Sequence, residues 1–87
     1  MYTVRLTGKA QKGYDSLFPV DYRKKVNELV EVLETNAYPA KLYDMAQLDV
    51  DTYRIRLGRV RMQYTIFEDE NIILLYRIEL RDDSTYK

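Results

Sequence analysis

The 87 residues include no cysteine and no histidine, and each absence removes a class of chemistry. Without cysteine there is no disulfide framework, no thiolate nucleophile and no cysteine-based zinc site. Without histidine there is no Ser-His-Asp triad, no imidazole metal ligand and no histidine acid–base pair. No stretch of ~18 consecutive apolar residues is present to cross a bilayer, and no charged-then-apolar leader opens the chain. The expected setting is soluble, reducing and cytoplasmic. Any activity must come from carboxylates, hydroxyls, phenols, lysines and arginines.

What is present is globular: 46% of residues are hydrophobic and 32% charged. The length suits one domain, residues 1–87, around a single core. The 14 Lys and Arg balance the 14 Asp and Glu, but unevenly along the chain. Between positions 15 and 34 the acids Asp15, Asp21, Glu28, Glu31 and Glu34 outnumber Arg23, Lys24 and Lys25. Between positions 53 and 64 stand Arg54, Arg56, Arg59 and Arg61, with no acid. Halves of opposite sign suit a charged partner better than the zero total suggests.

Residues 2–6 alternate and are rich in β-formers, which predicts a first strand. Thr7 can cap a short helix over 8–16, with Ala10, Tyr14 and Leu17 on one face and Gly13 as its weak point. A second helix follows, with Pro19 in its first turn and Asp21 near the positive end of its dipole. Tyr22, Val26, Leu29, Val30 and Leu33 form its apolar stripe. Residues 36–50 read as a connector, with Leu42, Met45 and Leu48 touching the core. Strands are predicted over 53–57, 60–67 and 72–80, with a turn at Gly58-Arg59. The expected architecture is α+β, in the order β-α-α-β-β-β. A helical hairpin packs on one face of a mostly antiparallel four-stranded sheet.

Alternation along strands then sorts side chains by face. Tyr53, Ile55 and Leu57, with Val60, Met62, Tyr64 and Ile66, form an apolar set. In the last strand Ile72, Leu74, Tyr76, Ile78 and Leu80 are expected beside them; Ile73, Leu75, Arg77, Glu79 and Arg81 are expected on the other face. With the apolar sets against the helices, the opposite face holds Arg54, Arg56, Arg59, Arg61, Arg77 and Arg81, offset there by Glu79. A wetted antiparallel face carrying long basic side chains is ordinary. Two features argue for more: the patch is all arginine, whose planar fork grips phosphate bidentately, and no matching row of acids balances it. RNA or DNA is the natural complement.

The segment Tyr53-Arg54-Ile55-Arg56-Leu57-Gly58-Arg59-Val60-Arg61-Met62-Gln63-Tyr64, with Arg81 and Tyr86 after it, resembles the RelE branch of the RelE/ParE toxin superfamily. The likeness runs over nearly the whole chain. It implies a ribosome-dependent endoribonuclease that cleaves mRNA in the A site. The 2′-hydroxyl attacks the adjacent phosphate, with neither metal nor cofactor. It also implies a RelB-like antitoxin partner with an acidic surface that covers the arginine face.

By position, Arg61 matches the family's phosphate-binding arginine, Arg81 the one assigned to the leaving group, and Tyr86 the tyrosine that orients the nucleotide. Arg54 and Arg56 stand where well-known members have lysines. Arginine stays protonated, so these two suit transition-state electrostatics rather than proton abstraction. Arg59 and Arg77 are expected to bind RNA. Tyr86 is the candidate base, or the ring that fixes the nucleotide. A gyrase-inhibiting toxin of the ParE branch and an RNA-binding homologue that no longer cleaves are the alternatives; the four family-matched arginines count against the first. The Lys-to-Arg departures, and the lack of the extra C-terminal helix of some relatives, keep the second open.

Overall fold

The computed structural model describes residues 1–81. The chain runs β1 (Thr3–Leu6), α1 (Gly8–Asp15), α2 (Asp21–Thr35), β2 (Asp44–Gln47), β3 (Thr52–Leu57), β4 (Val60–Phe67) and β5 (Ile72–Leu80), with a 3-10 turn at Glu68–Glu70 before β5. The five strands form one sheet in the order β1-β5-β4-β3-β2. The first strand pairs in parallel with the last, and all other neighbours are antiparallel.

Helix α1 starts where its sequence dictates. Thr7 caps α1, its Oγ accepting the Ala10 N–H at 3.1 Å. Helix α2 begins at Asp21, so Pro19 lies ahead of it rather than in its first turn. The predicted stripe is the buried one. Val26, Leu29 and Leu33 are fully enclosed, while Tyr22 and Val30 pack beside them. Each such buried aliphatic side chain stabilises the fold by about 1.5–3 kcal/mol relative to leaving it in water. The core joins Ala10, Leu17 and this stripe to Ile55, Met62, Tyr64, Ile73, Leu75 and Ile78 of the sheet. Tyr64 is completely buried, and its hydroxyl donates to the Ala37 carbonyl at 3.1 Å. Burial pushes that phenol well above its usual range.

Besides the start of α2, the structure departs from the sequence expectation in two places. The presumed connector contains strand β2, which gives the sheet a fifth member. Met45 on it does pack against the core, but Leu42 and Leu48 are exposed. The second departure lies in β5. Between Gln63 and Tyr64 the register with β4 slips by one: Tyr64 faces Leu75, while Gln63 faces Arg77. Tyr76 is the extra residue of this β-bulge. Upstream of it the predicted parity is therefore reversed. Ile73 and Leu75 are buried, whereas Ile72 and Leu74 are only partly covered and do not pack against the core. Tyr76, expected inside, does not pack there either. Downstream, Arg77, Ile78 and Glu79 fall as expected.

Candidate nucleic-acid interface

Residues directly opposite on neighbouring strands share a face and lie about 4.5–5.5 Å apart. The register therefore turns the open face into a grid. One row reads Asp44, Arg56, Arg61, Glu79 across β2, β3, β4 and β5. The next reads Ala46, Arg54, Gln63, Arg77. Beyond these come Thr52, Thr65 and Leu74, with Arg5 of β1 opposite Leu74. On the other flank Arg59 and Arg81 close the end of the sheet. Arg81 N–H donates to the Arg59 carbonyl, and the Arg59 guanidinium donates to the Arg81 carbonyl at 3.1 Å.

Arg54, Arg56, Arg61 and Arg77 thus meet at one end of one face, with Arg59 and Arg81 at its margin. Tyr86, the remaining sequence candidate, lies outside the described residues. Sequence reasoning missed Arg5, because placing it required knowing that β1 docks beside β5. It also missed Asp44, on the strand read as connector.

Three ion pairs on this face, all between described residues, are loose. Arg61 and Arg77 each stand 3.7 Å from Glu79, and Arg54 stands 3.9 Å from Asp44. All three exceed the ~2.7–2.9 Å of a charge-assisted hydrogen bond, and such half-exposed pairs are worth about 0–1 kcal/mol. Arg56 makes no ion pair among the described residues. It sits directly opposite Arg61, and like charges in that position are destabilising. The Nε of Arg54 is buried without a hydrogen-bond partner. A multivalent anion bound on this face would offset the repulsion between Arg56 and Arg61.

The far end of β4 has the opposite character. There Glu68 accepts hydrogen bonds from Tyr38 at 2.6 Å and from Tyr2 at 3.1 Å. The bond to Glu68 raises the Tyr38 phenol from 10.0 to about 12, with burial and the carboxylate's charge adding to it. A phenol that holds its proton more tightly when folded stabilises the fold below its unfolded value. That contribution is lost as pH climbs from about 10 to about 12. In a phenolate absorbance titration, Tyr38→Phe should remove the latest-titrating accessible phenol, and Glu68→Ala should return that phenol toward 10.0. If the phenol lost in Tyr38→Phe titrates no earlier in Glu68→Ala than in the parent, the Tyr38–Glu68 bond does not form.

No family model matches the sequence. The Methanocaldococcus jannaschii protein named RelE1 is 36% identical over 83 residues, covering 93% of this chain and 91% of that protein. Among solved structures, the archaeal RelE–RelB complex from Pyrococcus horikoshii OT3 matches with a TM-score of 0.83 at 26% identity, over 94% of this chain and 97% of that one. The RelB–RelE antitoxin–toxin complex from Methanococcus jannaschii matches with a TM-score of 0.73 at 21% identity, over 94% of each chain. The intact Escherichia coli RelBE complex matches with 0.75 at 14% identity, over 94% and 99%. The last two speak to the fold alone, and homologues have been crystallised with RelB antitoxin. No helix among the described residues is long and apolar enough to cross a membrane. With more than a third of its residues shared along nearly the full length of one relative, and with the sheet carrying its arginines on the open face, this chain belongs to the RelE toxin family.

Proposed function

We propose that this chain is the toxin of a RelBE-type toxin–antitoxin pair. In this reading it is a ribosome-dependent endoribonuclease that cleaves mRNA in the A site by 2′-hydroxyl attack. The observation that carries the reading is Arg56 set directly across from Arg61, with Arg54 and Arg77 in the neighbouring row of the same face. A fold keeps like charges opposed at a cost, and a bound phosphodiester repays it. In-line attack on phosphorus builds negative charge on the non-bridging oxygens, and fixed guanidinium groups stabilise that charge without reorganising.

In this assignment Arg61 binds the scissile phosphate, while Arg54 and Arg56 stabilise the phosphorane. Arg81 serves the leaving 5′-oxygen, and Tyr86 orients the nucleotide. Arg59 and Arg77 hold the flanking backbone. The partner is a RelB-like antitoxin, as in the related complexes, whose acidic surface would compete with RNA for the same face.

Inducing the toxin in cells and mapping mRNA 5′ ends tests the reading. Cuts inside codons at the ribosomal A site, bearing 5′-hydroxyls, are expected together with translational arrest. Intact A-site codons accompanied by DNA damage would overturn it in favour of gyrase inhibition. Arrest without cuts would reduce the chain to a binding protein.

A further inference from the structure

The proposed reaction needs a group that accepts the proton of the attacking 2′-hydroxyl. The arginines on the face cannot do so, because a guanidinium stays protonated. Histidine and cysteine do not occur in the chain. Tyr86, the base suggested by the sequence, lies outside the described residues and is kept here for orienting the nucleotide; among the described residues, the two rows that hold the arginines include two carboxylates, Asp44 and Glu79. Asp44 lies on the edge strand, paired loosely with Arg54. Glu79 stands inside the cationic cluster. It faces Arg61 in register, with one carboxylate oxygen 3.7 Å from Arg61 Nη1 and the other 3.7 Å from Arg77 Nε. Its side chain is 42% exposed, so a substrate hydroxyl can reach it.

From this geometry we propose that Glu79 is the general base of the cleavage; the inference rests on the endoribonuclease reading above. A 2′-oxygen and its neighbouring phosphorus are bonded through one ribose, so the base must stand next to the phosphate-binding group. Glu79 and Arg61 meet that condition. Glu79 takes the 2′-hydroxyl proton as the 2′-oxygen bonds to phosphorus. The P–O5′ bond breaks with its electron pair on the 5′-oxygen, which takes a proton from a water molecule. The hydroxide so formed is neutralised by the proton on Glu79, leaving a 2′,3′-cyclic phosphate and a 5′-hydroxyl. The flanking guanidinium groups of Arg61 and Arg77 hold the carboxylate in place.

Single-turnover cleavage by the full chain on mRNA-programmed ribosomes tests this. Glu79→Gln keeps the shape and removes the base. Its maximal rate should fall by about 10²–10⁴-fold. Its half-saturating concentration should not rise, because a negative charge beside the phosphate is gone. Among the described residues, the charges on the face of Glu79 are Arg61 on β4, Arg77 and Arg81 at its own strand, Arg54 and Arg56 on β3, and Asp44 across the row. All the arginines stay charged throughout. Glu79→Asp should restore part of the rate, and thermal melting of each variant reports its folding. Cleavage by Glu79→Gln within threefold of the parent, while Arg61→Ala is slowed by about 10²-fold or more, would overturn the role of Glu79 and leave the enzyme reading standing. A parent protein that leaves mRNA intact on the ribosome would overturn both.

Discussion

Arg61→Ala is expected to slow mRNA cleavage on programmed ribosomes by about 10²–10³-fold, the loss that follows removal of one preorganised donor to a developing oxyanion. Arg61 occupies the middle of the grid, on the central strand of the five, with Arg56 on one side and Glu79 on the other. Its side chain is one-third exposed, which anchors the stem while leaving the fork available. Arg61→Lys should recover only part of the rate, since an ammonium cannot grip two phosphate oxygens in one plane. Stability should barely move. The contact to Glu79 is long and half-exposed, worth about 0–1 kcal/mol, and losing it is offset by removing the repulsion from Arg56. Single-turnover rates paired with thermal melts separate the two effects. A variant that melts like the parent and cleaves within threefold of it would remove the arginine face as the phosphate site.

How far that face could be read from sequence depended on which strands admit a single parity. In β3 and β4, apolar and polar residues alternate strictly from Tyr53 to Leu57 and from Val60 to Thr65. One register alone then buries the apolar set, and Arg54, Arg56 and Arg61 fall outside it. The first half of β5 carries no such information. Ile72, Ile73, Leu74 and Leu75 are apolar at both parities, so either face could be buried. The sheet resolved the ambiguity with a bulge at Tyr76, which restored the readable parity only from Arg77 onward. Strand β2 was illegible for another reason. Asp44-Met45-Ala46-Gln47 has little intrinsic β preference, and pairing with β3 imposes its extended form. Local pattern fixed the arginine columns, while the arrangement of neighbours decided what else shares their face, Arg5 included.

Gly13→Ala is expected to destabilise the protein by about 1–3 kcal/mol, against the sign that helix propensity alone assigns. In an exposed helix interior this substitution stabilises by roughly 0.5–1 kcal/mol, because glycine loses more freedom on folding. Here α1 lies against the backbone of β5 just beyond the bulge. A β-carbon on Gly13 would land on the carbonyl oxygen of Ile78, with the carbonyl carbon 2.9 Å away. Neither atom is the end of a flexible side chain, so relief requires moving the helix or the strand. Ile78 is buried in the core, and its neighbours Arg77 and Glu79 project from the other face into the arginine grid. A shift of β5 would therefore also misplace Glu79 relative to Arg61. For a domain of this size each kcal/mol lowers the melting temperature by about 4–8 °C. Cleavage should slow along with the loss of stability. Gly8→Ala serves as the control, since a β-carbon there meets nothing within 4 Å. It should melt close to the parent. A Gly13→Ala protein that melts at or above the parent would mean that α1 does not seat this closely on β5, and that something other than this contact sets the spacing between helix layer and arginine face.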